Sequence, residues 1–173
     1  MPKSRRKMGE DRGRKLPDVT IEAMSIRDIE EIVAIENASF PTPWSAVTFI
    51  KDMRNSHSVC YVARIEDRLI GYTVAWLVPN ELHIGNIAID ASFRRRGIAS
   101  VLLSKLLGLA REKRIERVTL EVRASNTRAI SLYHKFGFKE VAIIRNYYGS
   151  ENEDALVMLL DTGSDQSFDS PIP

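Results

Sequence analysis

Three arginines precede a glycine and an apolar run in the stretch Phe93–Leu103, FRRRGIASVLL. If Gly97 begins a helix, the unpaired N–H groups of the first turn and the helix dipole favour an anion there. A glycine also lets a phosphate approach the main chain closely. Residues 94–100 therefore predict a phosphate- or pyrophosphate-binding turn. On these residues alone, a solvated arginine cluster and a nucleic-acid patch remain open.

Other phosphate-binding turns are not supported by the sequence. It contains neither the G-x-x-x-x-G-K-S/T pattern of a P-loop nor the G-x-G-x-x-G pattern of a dinucleotide-binding fold. Nucleoside triphosphate hydrolysis and Rossmann-type binding therefore have no local motif. The chain also has no Cys/His cluster at ligand spacing, so we predict no metal site.

A second candidate chemical pair is Glu121 with Tyr133. Glu121 interrupts the apolar segment Val118–Val122, where a carboxylate is costly unless it has a partner or a function. Tyr133 lies seven residues after Asn126, so both share one face of a predicted helix. If that helix packs back along the strand, Tyr133 lies ~10 Å along its axis from Asn126, near the level of Glu121.

A carboxylate and a phenol that flank one substrate can act as general base and general acid. The alternative is structural: Glu121 would pair with Arg123 or Lys139, and Tyr133 would be a core aromatic residue. The spacing alone does not decide between these interpretations.

Apolar periodicity predicts the elements that would position these residues. We expect the order β-α-α-β-β-β-α-β-α-β-β, a mixed α/β layout in which the unit from Leu82 to Val122 crosses over right-handed. Predicted strands cover 19–24, 59–65, 69–78, 82–90, 117–122, 138–145 and 154–160, and predicted helices begin after Ser25, after Ser45, at Gly97 and after Asn126.

The folded unit is expected to cover residues 18–161. Residues 1–17 are basic and almost without apolar side chains, which predicts a disordered arm, and residues 162–173 predict a flexible tail. The 25 basic and 23 acidic residues give a formal charge of +2. Nucleic acid contact would therefore depend on a local cluster such as the arm. One cysteine and the lack of an apolar run of ~20 residues predict a cytoplasmic protein without a membrane partner.

Several segments together resemble one family. Arg94–Ala99, RRRGIA, resembles the Q/R-x-x-G-x-G/A motif of the Gcn5-related N-acetyltransferases (GNAT). The resemblance extends through NIAID (Asn86–Asp90), LEVRASN (Leu120–Asn126), LYHKFGF (Leu132–Phe138) and RNYY (Arg145–Tyr148). Within the family, these runs are similar to the ribosomal-protein-alanine and archaeal protein N-terminal acetyltransferases. The fold it implies is a mixed, mostly antiparallel sheet of six to seven strands, splayed after strand 4, with about four flanking helices.

The resemblance implies acetyl-coenzyme A as co-substrate. The main chain of Ile87, Ala88 and Ile89 would pair with the pantetheine arm, and Asn126 would bind the coenzyme farther along. The pyrophosphate would lie on the turn formed by Arg94, Arg95, Arg96, Gly97, Ile98, Ala99 and Ser100.

The resemblance also implies catalytic roles. Glu121 would be the general base through a water and Tyr133 the general acid, with direct transfer in a ternary complex. His83 matches a histidine that acts as an auxiliary base in archaeal relatives, whereas the bacterial ribosomal enzymes have an apolar residue there. We therefore treat His83 as a secondary candidate, with an ordinary half-buried histidine as the alternative.

Two loops resemble those that grip the acceptor peptide in the family. One contains Phe40, Pro43 and Trp44, and the other contains Tyr147 and Tyr148. The alternative is that Trp44 and Tyr148 fill the core.

The leading hypothesis is a protein N-α-acetyltransferase whose acceptors are the N-termini of ribosomal or other proteins. A GNAT enzyme for a small-molecule amine is a second hypothesis, because it uses the same coenzyme site. A basic nucleic-acid-binding module is a third, and it predicts a steep salt dependence of binding.

The backbone amides of the turn are expected to matter more than its arginine charges. Gly97→Val should therefore weaken acetyl-coenzyme A binding more than the loss of any one arginine charge. Isothermal titration calorimetry checks this, and equal binding by Gly97→Val and the wild-type protein would contradict it.

Overall fold

The predicted elements occur in the predicted order in the computed structural model, which describes residues 18–149 and 152–163. The strands and helices are β1 Val19–Ala23, α1 Ile29–Ser39, α2 Ala46–Arg54, β2 Ser58–Ile65, β3 Arg68–Val78, β4 Glu81–Ile89, α3 Ile98–Glu112, β5 Arg117–Arg123, α4 Thr127–Lys135, β6 Lys139–Tyr148 and β7 Glu153–Asp161.

The strands form one sheet in the order β1-β2-β3-β4-β5-β7-β6. Neighbouring strands are antiparallel except β4 and β5, which are parallel. The mixed, mostly antiparallel α/β sheet expected from the sequence is confirmed, with seven strands and four α-helices among the described residues.

The sheet opens between β4 and β5. Their pairing begins at Glu81 and Arg117 and ends at Ile84 and Leu120. Because β4 continues to Ile89 and β5 to Arg123, both strands extend beyond their shared ladder. The predicted splay after the fourth strand is confirmed, and the main chain of β4 beyond Ile84 has no β5 partner.

A bulge lies at the start of this open segment. In the β3–β4 ladder, Val74 pairs with Asn86 and Ala75 pairs with Ile84, so Gly85 is the extra residue. A Cβ at Gly85 would lie 2.3 Å from the ring of Trp76. A glycine is therefore required where the bulge redirects β4.

Apolar clusters cover both faces of the sheet. On one face, α1 and α2 contribute Ile32 and Phe49 to a cluster that includes Tyr72. On the other face, Leu103 and Leu106 of α3 pack with β4, β5 and residues of α4. The two helical layers hold β4 and β5 in place on either side of the opening.

Hydrogen bonds to the rest of the domain continue past residue 161, the predicted end of the folded unit. Thr162, which we assigned to the flexible tail, donates its backbone N–H to Glu116 O at 2.8 Å and its hydroxyl to Ile115 O. The basic arm, residues 1–17, and residues 164–173 of the tail lie outside the described residues. No helix in the described ranges is long and apolar enough to cross a membrane.

Two glycine substitutions should have opposite effects on stability. A Cβ at Gly71 would lie 2.9 Å from the backbone oxygen of Ala88 and 2.6 Å from Ile89 Cδ1. We expect Gly71→Ala to lower the free energy of unfolding by about 1–3 kcal/mol, because overpacking forces the strands apart. Gly108 lies inside α3, and a Cβ there would meet no neighbouring atom within 4 Å. Gly108→Ala should raise the free energy of unfolding by about 0.5–1 kcal/mol. Urea denaturation checks both, and shifts of equal sign would contradict the expectation.

Candidate active site

The opening between β4 and β5 contains two adjoining cavities. The longer cavity, of about 450 Å³, runs along the end of β4 to the start of α3. The smaller cavity, of about 200 Å³, lies between the α1–α2 loop, β5 and the end of β6. Both cavities are lined by Phe40, Ile87, Asn126, Ala129 and Tyr133. A molecule in one cavity would therefore meet a molecule in the other beside Tyr133.

The longer cavity brings together all but one of the residues expected to bind the coenzyme. Its walls include Ile87, Ala88, Ile89, Arg94, Arg95, Gly97, Ile98, Ala99, Ser100 and Asn126. Arg96 does not line the cavity, and its guanidinium lies 5.1 Å from the centre of the Phe93 ring. Arg128, in the first turn of α4, also lines this cavity, although its sequence position gave no motif signal.

The start of α3 has the backbone that an anion site requires. Gly97 precedes the helix with a φ of 81°, in the left-handed region that a side chain disfavours. Arg95 also has a positive φ, 60°. The first-turn N–H groups of α3 point out of the helix start with no intrahelical partner.

Arg94 is committed to contacts within the protein. Its Nε donates to Ile89 O at 3.0 Å, and its Nη2 donates to Ser39 Oγ at 2.9 Å. These bonds join the end of β4 to the end of α1. Arg94 thus positions two walls of the longer cavity.

Glu121 of β5 and Tyr133 of α4 both line the smaller cavity. Tyr133 is 8% exposed. Burial, with a smaller effect from Tyr148, raises the pKa of Tyr133 to about 12. Its hydroxyl is therefore protonated at neutral pH and can donate.

Glu121 is half-buried, and its carboxylate lies beside the imidazole of His83, which the structural alternative, Arg123 or Lys139, did not include. Glu121 Oε2 lies 3.1 Å from His83 Nε2. His83 does not line either of the two cavities and lies behind the carboxylate. The imidazole stacks on Trp76, with 5.6 Å between ring centroids and 15° between ring planes.

The predicted acceptor loops contribute unequally. Phe40 and Trp44 line the smaller cavity, whereas Pro43 does not. Trp44 also packs against Phe49 and Trp76, at 5.7 and 5.9 Å between centroids, so it belongs to the core as well as to the cavity wall.

At the other loop, Tyr148 lines the smaller cavity and Tyr147 does not. Tyr147 is 50% exposed, and its ring packs edge-on against that of Tyr148 with 5.0 Å between ring centroids. The guanidinium of Arg123 lies 3.9 Å from the centre of the Tyr148 ring. Burial raises the pKa of Tyr148, although the Arg123 charge opposes that change.

Sequence reasoning missed a second carboxylate in this cavity, Glu36 of α1. Glu36 is 1% exposed and accepts from Trp44 N at 2.8 Å, from Asn86 Nδ2 at 3.2 Å and from the Tyr72 hydroxyl. Burial and the Glu36 carboxylate together raise the pKa of Tyr72 well above its usual range. The sequence did carry a signal, because Glu36 lies four residues after Ile32 and hence on the buried face of the helix.

The described residues contain no group of three His, Cys, Asp or Glu side chains that could hold a metal ion. The side chains that line the two cavities include the carboxylates of Glu36 and Glu121 and the phenols of Tyr133 and Tyr148.

Comparison with known proteins gives a consistent result. The model of the Acetyltransferase (GNAT) family matches residues 27–138. The ribosomal protein bS18-alanine N-acetyltransferase of Salmonella typhimurium is 35% identical, over 82% of this chain and 96% of its own length. An N-alpha-acetyltransferase of Sulfurisphaera tokodaii is 32% identical, over 77% of this chain and 87% of its own length.

Solved structures agree with the sequence matches. The crystal structure of the ribosomal-protein-S18-alanine N-acetyltransferase from Escherichia coli superposes with a TM-score of 0.79 at 30% identity, covering 87% of this chain and 97% of that chain. With the splayed sheet and the glycine-containing helix start already described, these matches establish that the chain belongs to the acetyltransferase (GNAT) family.

Proposed function

We propose that this protein is an acetyl-coenzyme A-dependent N-α-acetyltransferase that modifies the N-terminal amine of proteins. The observation that carries the proposal is the junction of the two cavities at Tyr133, with Glu121 on the wall of the smaller one. An acyl donor in the longer cavity and an amine in the smaller one would meet between a base and an acid. The names of the Salmonella and Sulfurisphaera relatives support the acceptor class.

The longer cavity fits the donor on three counts. The edge of β4 at Ile87–Ile89 is free of β5 and can pair with an extended chain that carries amides. The first turn of α3 can hold a pyrophosphate through main-chain N–H groups. Gly97 leaves that turn without a side chain. When bound, the coenzyme supplies the acetyl thioester, and the remaining chemistry falls to the residues of this chain.

The acceptor must be neutral when it attacks. An α-amine has a pKa near ~8, so its deprotonation at neutral pH costs about 1–2 kcal/mol, whereas a lysine amine near ~10.4 costs several. Glu121 would take this proton through a water. The amine nitrogen then forms the amide bond as the carbon–sulfur bond breaks.

The departing sulfur requires a proton donor. Tyr133 would supply it, because burial keeps its phenol protonated. The sulfur takes the proton of the Tyr133 phenol, and the second proton of the attacking nitrogen passes through water to the phenolate, which restores the acid. This arrangement needs no acyl-enzyme, since both reactants occupy the cleft together.

The acceptor would lie between the aromatic side chains of the two loops. Trp44 and Tyr148 line the smaller cavity from opposite loops. Tyr72, Asn86 and the Trp44 N–H all bind Glu36, so this carboxylate fixes the α1–α2 loop against β3 and β4. We assign Glu36 to positioning the acceptor wall.

Mass spectrometry of short peptides incubated with acetyl-coenzyme A tests the proposal. Each peptide is supplied with a free and with a blocked N-terminus, and each contains an internal lysine. We expect acetylation of the free N-terminus alone. Modification of the lysine or of a polyamine, without an N-terminal product, would overturn the proposed acceptor class. A panel that varies the first two residues then defines the accepted N-termini.

Removal of the proposed base or acid should slow the chemical step. We expect Glu121→Gln and Tyr133→Phe each to lower kcat by about 10²–10⁴-fold with folding intact, because each removes one proton transfer. Tyr61→Phe is the matched control, since Tyr61 lies on β2 and lines neither cavity. Steady-state kinetics on a peptide that the wild-type protein acetylates measures all three, and unchanged kcat in both catalytic variants would refute the assigned roles.

Loss of Glu36 should affect both stability and acceptor binding. Glu36→Ala removes the acceptor shared by the buried Tyr72 hydroxyl and the half-buried Trp44 N–H and Asn86 amide, which we expect to cost about 3–5 kcal/mol of unfolding free energy. Tyr72→Phe removes only one of these donors and should cost about 1 kcal/mol. If Glu36→Ala remains folded, its peptide KM should rise more than that of Tyr72→Phe. Equal unfolding free energies for the two variants would argue against Glu36 as the anchor of the loop.

A further inference from the structure

A chain of hydrogen-bonding side chains extends behind Glu121 across β4 and β5. His83 and Thr119 are paired in the parallel ladder. His83 Nδ1 lies 3.0 Å from Thr119 Oγ1, and Thr119 Oγ1 lies 2.5 Å from Glu81 Oε1. On its other side, His83 Nε2 lies 3.1 Å from Glu121 Oε2. The order of groups is therefore Glu81, Thr119, His83 and Glu121.

The number of hydrogens that each group can donate or accept determines where the hydrogen atoms lie in this network. An ionised carboxylate only accepts, and a threonine hydroxyl has a single hydrogen to donate. A separation of 2.5 Å is typical of a hydroxyl that donates to a carboxylate. The hydrogen of Thr119 therefore lies on the bond to Glu81. Thr119 Oγ1 must then accept from His83, so Nδ1 carries the ring hydrogen.

This tautomer has a consequence at the other ring nitrogen. In a neutral imidazole with Nδ1–H, Nε2 bears a lone pair, and here it faces a carboxylate oxygen. Two acceptors at this distance form a hydrogen bond only when a proton arrives between them. The pair of His83 and Glu121 is thus arranged to receive one proton.

We propose that Thr119 and Glu81 are positioning residues that hold His83 in the Nδ1–H tautomer, so that Nε2 shares with Glu121 the proton removed from the acceptor amine. This inference rests on the proposed function. It adds two residues, Thr119 and Glu81, that have no motif signal in the sequence.

The proton balance is simple. The amine N–H bond breaks, the proton passes through water to the Glu121 carboxylate, and an N–H bond forms at His83 Nε2. The imidazolium then lies between the charge of Glu121 and the Thr119–Glu81 pair, and after product release it returns the proton to solvent. Trp76 stacks on the ring and donates from Nε1 to Asp52 at 3.0 Å, so Asp52 is the charged group on the β3 and α2 side.

Without Glu81 the opposite tautomer becomes available. Thr119 could then turn its hydrogen toward Nδ1, and the ring hydrogen would move to Nε2. In that state Nε2 already donates to Glu121 and has no lone pair for an incoming proton. Glu81 therefore determines which imidazole nitrogen of His83 carries the lone pair, although Thr119 and His83 lie between Glu81 and Glu121.

Nitrogen-15 NMR of the imidazole rings tests the tautomer directly, independently of any activity. The chain has three histidines, His57, His83 and His134, which simplifies assignment. At about pH 9, above the ordinary titration range of imidazole, we expect Nδ1–H for His83 in the wild-type protein and in Thr119→Ser. Thr119→Val and Glu81→Ala should both shift His83 to Nε2–H.

The kinetic arm uses the same variants. Thr119→Val and Thr119→Ser differ in the hydroxyl group, so Thr119→Val should lower kcat/KM about tenfold while Thr119→Ser stays within about twofold of wild type.

The possible outcomes separate the two proposals. An Nε2–H ring in the wild-type protein, or an unchanged tautomer in Thr119→Val, would overturn the role of Thr119 and Glu81 while leaving the acetyltransferase intact. Absence of N-terminal acetylation by the wild-type protein would overturn the proposed function, whereas the NMR result would still stand or fall alone.

Discussion

The ladder between β4 and β5 ends at Ile84 and Leu120, and the chemistry of the protein depends on this interruption. A strand that leaves its neighbour exposes N–H and C=O groups that normally pair. Here the exposed edge of β4 forms a wall of the longer cavity, and the open space admits Tyr133 from α4. The same open edge that weakens the sheet therefore provides the surface on which an amide-containing donor can be held.

The two carboxylates of the smaller cavity illustrate how surroundings assign roles. Glu36 is enclosed by three neutral donors from the α1–α2 loop, β3 and β4, which saturate it and make it an anchor. Glu121 is half-buried and faces an imidazole whose other nitrogen is already engaged. One carboxylate is thus fixed by its bonds, and the other is the one to which we assign the proton transfer.

Much of this arrangement could be predicted from the sequence. The pattern of apolar residues predicted every strand and helix within a few residues, because each element buries one face. The family resemblance led to the splay, which periodicity alone does not reveal. Glu121 and Tyr133 were recognisable because each stands out locally, a charge in a buried strand and a phenol seven residues after a cap.

Contacts between distant segments were harder to predict. Glu36 was overlooked because its three donors come from residues 8, 36 and 50 positions away. The link from His83 to Thr119 depends on the register of a parallel pair, which no local pattern specifies. Arg94 and Arg96 looked alike in sequence, yet the first joins α1 to β4 and the second lies over Phe93 outside the cavity.

The bulge at Gly85 limits which amino-acid substitutions this protein can accept during evolution. Since a Cβ at position 85 would occupy the space of the Trp76 ring, neither residue can change freely without the other. Trp76 in turn supports the imidazole of His83 and the indole of Trp44. The residues at positions 44, 76, 83 and 85 are therefore expected to co-vary during evolution, because a change at one alters the packing of the others.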